Sequence, residues 1–313
     1  MKLSVIIPML NEQEIASKTY ARLSNVLKAY PHELIFIDDG SSDQTLEILK
    51  ECIETDPGPL KRNRVISFSR NFGHQAAFSA GIEEAQGDCT VIIDGDLQDP
   101  PELILEMIKK WEEGYQVVYA QRRKREGESL FKLVTAKVFY RILNSLTSIA
   151  IPTDTGDFRL MDSQVVNHLR QLPERSRFLR GLVCWVGFKH IGIQYDRAQR
   201  EYGETKYPLK KMFGLARDGI TSFSTLPLTL ATYLGVIVSI IGALLGTWAV
   251  IEKIFFPETT IQGWSSLLIV IVFMGGIQLI TIGIVGEYLG RIYEEVKGRP
   301  LYIINQKIEK KTK

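Results

Sequence analysis

The chain has 313 residues, of which 24% are charged and 45% hydrophobic, and its formal net charge at pH 7 is +2. This length suits one large domain or two smaller ones, and the balanced charge argues against a nucleic-acid partner, which needs a basic patch or stripe. The cysteines lie far apart without Cys-x-x-Cys spacing, so neither a disulfide framework nor a zinc site is predicted. The N-terminal segment turns polar by Asn11 and lacks a small-residue cleavage site, which favours a buried first strand over a signal peptide.

Short apolar runs rich in Val and Ile alternate with segments of helical spacing through the first third of the chain. The apolar runs are Leu3–Pro8, Glu33–Ile37, Arg64–Ser67 and Thr90–Ile93, followed later by Val117–Ala120. The segments of helical spacing are Glu12–Ala29, Thr45–Glu54, His74–Ala85 and Glu102–Glu113. This alternation predicts an α/β fold with a mainly parallel sheet and helices on both faces.

Acidic, polar or glycine-rich segments follow each of the first four predicted strands. They are Asn11 and Glu12, residues 38–43, residues 69–73, and residues 94–96. Ligands of parallel α/β sheets bind beyond the carboxyl ends of the strands. The sequence therefore predicts a ligand site built from these four segments.

The segment Asp94-Gly95-Asp96 carries the clearest chemistry. Two carboxylates separated by a glycine at a strand end suit a hard divalent cation, Mg²⁺ or Mn²⁺, that also binds substrate phosphates. Such a cation neutralises a nucleotide diphosphate and stabilises charge on its leaving group. The alternative is that the aspartates cap the following helix, a role for which Asp is well suited.

The last third of the chain contains two long uncharged stretches. Leu226–Ile251 and Trp264–Gly286 each exceed the roughly 20 apolar residues needed to cross a bilayer core. Basic residues flank their outer ends, so the positive-inside rule predicts that both termini are cytoplasmic. Two amphipathic stretches precede them. Leu130–Ser148 is either core-packed or interfacial, and the basic residues beside the apolar stripe of Lys206–Phe223 favour an interfacial helix.

Four ordered motifs at the strand ends carry a family resemblance. They are VIIPMLNE at Val5–Glu12, FIDDGSSDQT at Phe36–Thr45, FSRNFGHQAA at Phe68–Ala77 and IIDGDLQDPPE at Ile92–Glu102. With these motifs the chain resembles family 2 glycosyltransferases of the GT-A fold, in the branch that makes polyprenyl- and dolichyl-phosphate sugars. The two spans resemble the arrangement in bacterial bactoprenol glucosyltransferases. The resemblance implies a Rossmann-like domain that binds a nucleotide sugar.

The resemblance also implies roles for individual residues. Nucleotide-sugar binding falls to Pro8, Asn11, Glu12, Asp39, Arg70, Asp94, Asp96 and Gln98, with the divalent metal on Asp94 and Asp96. The family's catalytic aspartate is matched by Asp157, in a segment that its residues alone would make a turn and a capped helix. Asp157 would either deprotonate the acceptor or orient it and stabilise positive charge at the anomeric carbon. His74 is either part of the pocket or structural.

A set of basic and aromatic residues is expected at the phosphate of the lipid acceptor or at the donor diphosphate. The set comprises Arg122, Arg200, Tyr202 and Lys206. Arginine binds phosphate through planar, bidentate hydrogen bonds. The alternative for this set is a solvated charged face.

The two apolar spans and the family resemblance together predict an integral protein of the bacterial inner membrane. We expect inverting, metal-dependent transfer of one hexose, glucose from UDP-glucose, to undecaprenyl phosphate at the cytoplasmic face. Transfer of mannose or an aminoarabinose derivative is an alternative, as is a non-catalytic membrane scaffold, and homo-oligomerisation stays open. The expected segments are a cytoplasmic GT-A domain (1–205), a juxtamembrane helix (206–225), spans (226–251 and 264–288), an extracytoplasmic loop (252–263) and a cytoplasmic tail (289–313).

Overall fold

The structure is a computed structural model in which residues 1–56, 63–123, 152, 155–172, 174–175, 177–196, 224–255 and 264–309 are described. The chain divides into two compact units. The first joins Met1–Gly219 to Pro300–Lys313, and the second is Ile220–Arg299. The C-terminal residues therefore belong to the same unit as the N-terminal ones.

The first unit is an α/β domain. Its described strands are β1 (Leu3–Met9), β2 (His32–Asp38), β3 (Arg64–Phe68), β4 (Cys89–Ile92), β5 (Val117–Arg122), β6 (Thr155–Asp162), β7 (His190–Tyr195) and β8 (Ile304–Glu309). Its described helices are α1 (Ala16–Val26), α2 (Thr45–Thr55), α3 (His74–Glu84), α4 (Leu103–Glu112), α5 (Ser163–Gln171) and α6 (Leu179–Trp185). The predicted fold class is confirmed, and the order of elements up to β5 is the predicted one.

The eight strands form one sheet in the order β7-β5-β6-β4-β1-β2-β3-β8. Its centre is parallel, because β1 pairs in parallel with β2 and β4, and β2 with β3. β6 runs antiparallel between β4 and β5, and β8 runs antiparallel to β3. The carboxyl ends of β1 to β5 and the amino end of β6 consequently lie at one end of the sheet, here called the carboxyl end.

The centre of the sheet is buried on both faces. Every residue of β1 and β2 is buried, as expected for parallel strands rich in Val, Ile and Phe. Helix α4 buries Leu103, Ile104, Met107 and Ile108, whose spacing puts them on one side of the helix. The pairing of β1 places Met9 beside Asp38 of β2 and Ile6 beside Ile92 of β4. The segments that follow these three strands therefore emerge side by side at the carboxyl end.

Helix α1 begins later than its sequence pattern predicts, at Ala16 rather than at Glu12. Asn11 has a left-handed backbone with φ 52°, and the carbonyl of Glu12 accepts the N–H groups of Ile15 and Ala16 in a turn. The four residues that precede the helix are therefore held as a loop at the carboxyl end of the sheet, and three of them are at least partly exposed there.

Three strands, β6, β7 and β8, are absent from the sequence-based prediction. The turn and capped helix expected from the residues around Asp157 alone are wrong, because this segment forms β6 with a neighbour on each side. Residues 304–309, expected within a tail, form β8 beside β3. These pairings join segments far apart in the chain, and local periodicity carries no signal for them.

The second unit contains two long apolar helices, α7 (Leu226–Phe255) and α8 (Trp264–Val296). Leu226–Trp248 and Phe273–Val296 are long and apolar enough to cross a membrane, judged by length and composition. Both helices continue beyond residues 251 and 288, where the predicted spans end. The predicted amphipathic segments at 130–148 and 206–223, and residues 256–263 of the predicted loop, lie outside the described residues.

Candidate active site

Hydrogen bonds join the loops that follow β1 and β2. Asn11 Oδ1 accepts the N–H of Ser42 at 2.9 Å, and the Asn11 N–H donates to Ser41 Oγ at 3.0 Å. The Glu12 N–H donates to Thr45 Oγ1 at 2.8 Å. Asn adopts the left-handed conformation more readily than most residues do, which suits it to this position. Asn11 and Glu12 are thus held at the end of β1, the strand in which Pro8 is buried.

Asp39 connects the end of β2 to the loop that follows β3. Its Oδ1 accepts the Phe72 N–H at 2.7 Å, and its Oδ2 accepts the Gly73 N–H at 3.0 Å. Burial raises the pKa of Asp39, and these two donors offset only part of that rise. Gly40 permits the close approach of the loop, since its φ is 69° and a Cβ there would lie 2.7 Å from Asn71 N. A carboxylate oxygen can accept a second bond, so the contact of Asp39 with a nucleotide base stays a prediction.

Arg70 lies in the same loop and is exposed. Its Nη1 donates to the Asn71 carbonyl at 3.0 Å, and its guanidinium lies 4.0 Å from the centroid of the Phe72 ring. Arg70 therefore folds onto its own loop, and its predicted contact with the donor is untested.

Asp94 and Asp96 emerge beyond the end of β4 on either side of Gly95. A Cβ at Gly95 would lie 3.1 Å from the backbone carbonyl oxygen of Pro8, so glycine lets this segment pack against the end of β1. Asp96 Oδ1 accepts the N–H of Gln98 at 3.2 Å. Both aspartate side chains remain partly exposed at the carboxyl end of the sheet.

The chemistry of the two aspartates fits a divalent cation that also binds phosphate. No group of three or more His, Cys, Asp or Glu side chains suited to a metal occurs among the described residues. A cation that binds a nucleotide diphosphate needs only one or two protein carboxylates, because phosphate oxygens and water complete its shell. Asp94 and Asp96 supply two carboxylates on either side of Gly95, which meets that requirement.

Strand pairing brings Asp157 next to Asp94. β6 is antiparallel to β4 with Arg159 opposite Ile92, so continuing the register by two residues sets Asp157 opposite Asp94. The imidazole of His74, the first residue of α3, lies between them. Its Nε2 is 3.1 Å from Asp94 Oδ1 and 3.9 Å from Asp157 Oδ2. Burial lowers the pKa of His74, but the hydrogen bond to Asp94 and the two carboxylate charges outweigh burial and raise it.

Arg180 of α6 holds the buried side chain of Asp157 in a bidentate ion pair. Arg180 Nε donates to Oδ1 at 2.8 Å and Nη2 donates to Oδ2 at 2.9 Å. Burial alone would raise the pKa of Asp157, but the positive charges of Arg180, His74 and Arg159 hold it well below its usual range. Asp157 is therefore an anion at neutral pH.

The family model described as glycosyl transferase family 2 matches residues 4–170. The chain belongs to this family. It is 52% identical over 97% of its length to the uncharacterized glycosyltransferase YkcC of Bacillus subtilis, of which it covers 93%. It is 43% identical to the SfII prophage-derived bactoprenol glucosyl transferase of Shigella flexneri, with 98% of each chain covered. Glucosyl-3-phosphoglycerate synthase from Mycobacterium tuberculosis aligns over 70% of this chain and 78% of that one, with 19% identity and a TM-score of 0.46. The predicted family resemblance is confirmed.

A second polar cluster of the glycosyltransferase lies at the ends of β5 and β7. Tyr195 donates its hydroxyl proton to Asp99, and Arg122 Nε lies 3.4 Å from the same hydroxyl. A Cβ at Gly156, the residue before Asp157, would lie 3.2 Å from Arg122 Nη2. Arg122, which the sequence predicts to bind a phosphate, therefore lies close to the backbone of β6 beside Asp157.

The structure of the glycosyltransferase brings most of the sequence-predicted residues to one end of the sheet. These are Pro8, Asn11, Glu12, Asp39, Arg70, Asp94, Asp96, Gln98, Arg122 and Asp157. Arg200, Tyr202 and Lys206 lie outside the described residues. Sequence reasoning missed Arg180. This residue lies on α6, which follows β6 and α5 in the chain, and it belongs to no motif. The ion pair joins a residue of α6 to a residue of β6, and only the tertiary structure shows it.

Proposed function

We propose that this glycosyltransferase moves one hexose from a nucleotide sugar to a polyprenyl phosphate, with UDP-glucose and undecaprenyl phosphate as the first pair to test. The observation that supports this most is the continuous contact from Asp94 through His74 to Asp157. It joins a carboxylate suited to a phosphate-bound cation to a carboxylate suited to the acceptor side. The name of the Shigella relative, bactoprenol glucosyl transferase, supports both the glucose and the lipid acceptor.

The donor is proposed to lie across the ends of β1, β2 and β4. Carboxylates accept hydrogen bonds from N–H and O–H groups, so Asp39 suits the base and Glu12 suits the ribose. Asp94 and Asp96 would hold a divalent cation, which when bound neutralises the diphosphate and stabilises the leaving group. Hydrogen bonds to neighbouring loops hold the loops of Asn11 and Asp39 in place before the donor binds. This order lowers the entropic cost of binding.

Asp157 is better suited to orient the acceptor than to remove its proton. Arg180 already engages both of its carboxylate oxygens, and a carboxyl whose pKa lies below the usual range is a weak base. A phosphate monoester has a second pKa of about 6, so near neutral pH the acceptor is largely dianionic and needs no base. We infer that Asp157 fixes Arg180 beside the acceptor phosphate and stabilises positive charge at the anomeric carbon.

The membrane arrangement is also part of the proposal. Helices α7 and α8 are long and apolar enough to span a bilayer. The first unit contains the chain both before Ile220 and after Arg299, so the chain leaves this unit, forms two helices and returns to it. Two spans bring a chain back to its original side of a membrane. Basic residues outside the helices favour the cytoplasmic side for both termini.

A panel of radiolabelled nucleotide sugars, incubated with the purified full-length protein and undecaprenyl phosphate in detergent, tests this function. We expect transfer from UDP-glucose in the presence of Mg²⁺ or Mn²⁺, and strongly reduced transfer by the Asp157→Asn variant. Transfer from GDP-mannose or from a UDP-aminoarabinose derivative would support the proposed type of reaction but show that the transferred sugar is not glucose. A non-catalytic scaffold predicts neither transfer nor donor hydrolysis with any member of the panel, and that result would refute the proposal.

A further inference from the structure

The C-terminal strand β8 completes the sheet at its β3 edge. Ile308 pairs with Val65 of β3 and packs against the hydrophobic core. Lys307 Nζ lies 2.5 Å from Glu84 Oε1 at the end of α3. The pairing of β3 and β8 shifts register next to Phe68, which pairs with Ile304 and leaves one residue of β8 unpaired. Such bulges redirect a strand and are common beside active sites.

The residues just before β8 reach the loop that leads to the candidate active site. The ring of Tyr302 stacks on that of Phe68, with centroids 4.9 Å apart and an interplanar angle of 13°. The carbonyl of Ile303 accepts the N–H of Ser69 at 3.0 Å. These contacts fix Phe68, the last residue of β3, and Ser69, the first residue of the loop that follows it.

The loop of residues 69–73 is thus held from two sides. Asp39 accepts the N–H groups of Phe72 and Gly73 at one end, and Tyr302 and Ile303 hold the other end. Phe72 also meets Phe68 edge to face, at 5.8 Å between centroids. The loop runs directly into His74, whose imidazole contacts Asp94. A displacement of the Phe68 ring would therefore reach both Asp39 and His74.

We propose that Tyr302 is a positioning residue for the donor subsite, acting through Phe68 on the loop of residues 69–73. Since Tyr302 follows α8 in the chain, the segment that returns from the second apolar helix completes the donor subsite. The kinetic consequence rests on the proposed function, whereas the effect on the loop does not.

Amide hydrogen exchange of the full-length protein tests the effect on the loop. In Tyr302→Ala we expect the Phe72 and Gly73 amides, which donate to Asp39, to exchange faster by about 2- to 10-fold, the range that follows from the value of one aromatic pair. Tyr302→Phe keeps the stacked ring and should exchange like wild type. Ile308→Ala is the matched control, because it weakens the docking of β8 without touching Phe68. Equal exchange at Phe72 and Gly73 in Tyr302→Ala and Ile308→Ala would refute the positioning role.

Steady-state kinetics test the consequence for the donor. We expect Tyr302→Ala to raise the donor KM by about 2- to 10-fold with a smaller change in kcat. Tyr302→Phe should restore the wild-type KM, and Ile308→Ala should leave it unchanged. A donor KM in Tyr302→Ala equal to that of wild type would overturn the proposal. Absence of transfer by wild type would instead refute the proposed function, and the amide-exchange comparison would still decide the role of Tyr302.

Discussion

Arg180 and Asp157 form a bidentate ion pair at the carboxyl end of the sheet, with both donor-acceptor distances below 3 Å. The pair lies across the imidazole of His74 from Asp94. Asp157 is 8% exposed, so its charge depends on Arg180 more than on water. Removal of Arg180 would leave the buried carboxylate of Asp157 without its bidentate partner, and breaking a buried ion pair in this way commonly costs about 3–5 kcal/mol.

The Arg180→Ala variant should lower turnover and move the acid limb of the pH–rate profile to higher pH. Without the guanidinium, burial is the dominant influence on Asp157 and raises the pKa of its carboxyl, so protonation begins at a higher pH. Profiles of kcat against pH for wild type, Arg180→Ala and Arg180→Lys would measure the shift. Arg180→Lys keeps the charge but loses the bidentate geometry, so its acid limb should lie between the other two. An unmoved acid limb in Arg180→Ala would exclude control of Asp157 by Arg180.

The Asp157→Asn variant should reduce turnover strongly at every pH while donor binding stays nearly intact. If Asp157 were a general base, its contribution of about 10²–10⁴-fold would shrink as pH rises past the phosphate pKa, because the acceptor would lose its proton unaided. The orienting role that we propose predicts a loss that persists. Comparison of both proteins from about pH 5.5 to 8.5 separates the two roles. Near-normal turnover throughout would remove Asp157 from the site.

The Asp96→Ala variant, which removes the second carboxylate of Asp94-Gly95-Asp96, should abolish transfer and weaken donor binding. Loss of one carboxylate leaves the diphosphate charge poorly neutralised, so the defect in donor binding should appear only when Mg²⁺ or Mn²⁺ is present. Calorimetric titration of UDP with and without the metal would measure this. Asp88→Ala, at the amino end of β4, is the control and should bind UDP like wild type. Full wild-type activity in excess chelator would contradict the metal site.

Deletion of residues 224–313 should impair donor binding as well as lipid transfer, because it removes β8 together with the two helices. A second variant replaces residues 224–299 by a Gly/Ser linker and keeps β8. It should bind donor like wild type and still transfer poorly to undecaprenyl phosphate, because the acceptor is no longer held beside the donor. Donor binding and lipid transfer by the two variants would be measured side by side. Equal donor binding by both would show that β8 does not contribute to the donor site.

The sequence by itself determined the central sheet and the segments at its carboxyl end. The apolar run of β1 predicts a strand buried on both faces, and every residue of that strand is buried. The positions of Asp39 and Asp94 follow from the same local rule, since each lies within two residues of the end of such a run. These features depend on neighbours a few positions away, so periodicity and strand-end motifs suffice to locate them.

Only the tertiary structure decided how the second half of the site is assembled. Asp157 lies opposite Asp94 because β6 pairs antiparallel with β4, and the side chain of Arg180 on α6 forms an ion pair with Asp157. Tyr302 reaches Phe68 because β8 returns to the β3 edge after the two apolar helices. Each contact joins residues from distant parts of the chain, and its formation depends on the packing of whole elements. A local pattern in the sequence predicts the helix or strand to which a residue belongs. It does not predict which distant residue that side chain will contact in the folded protein.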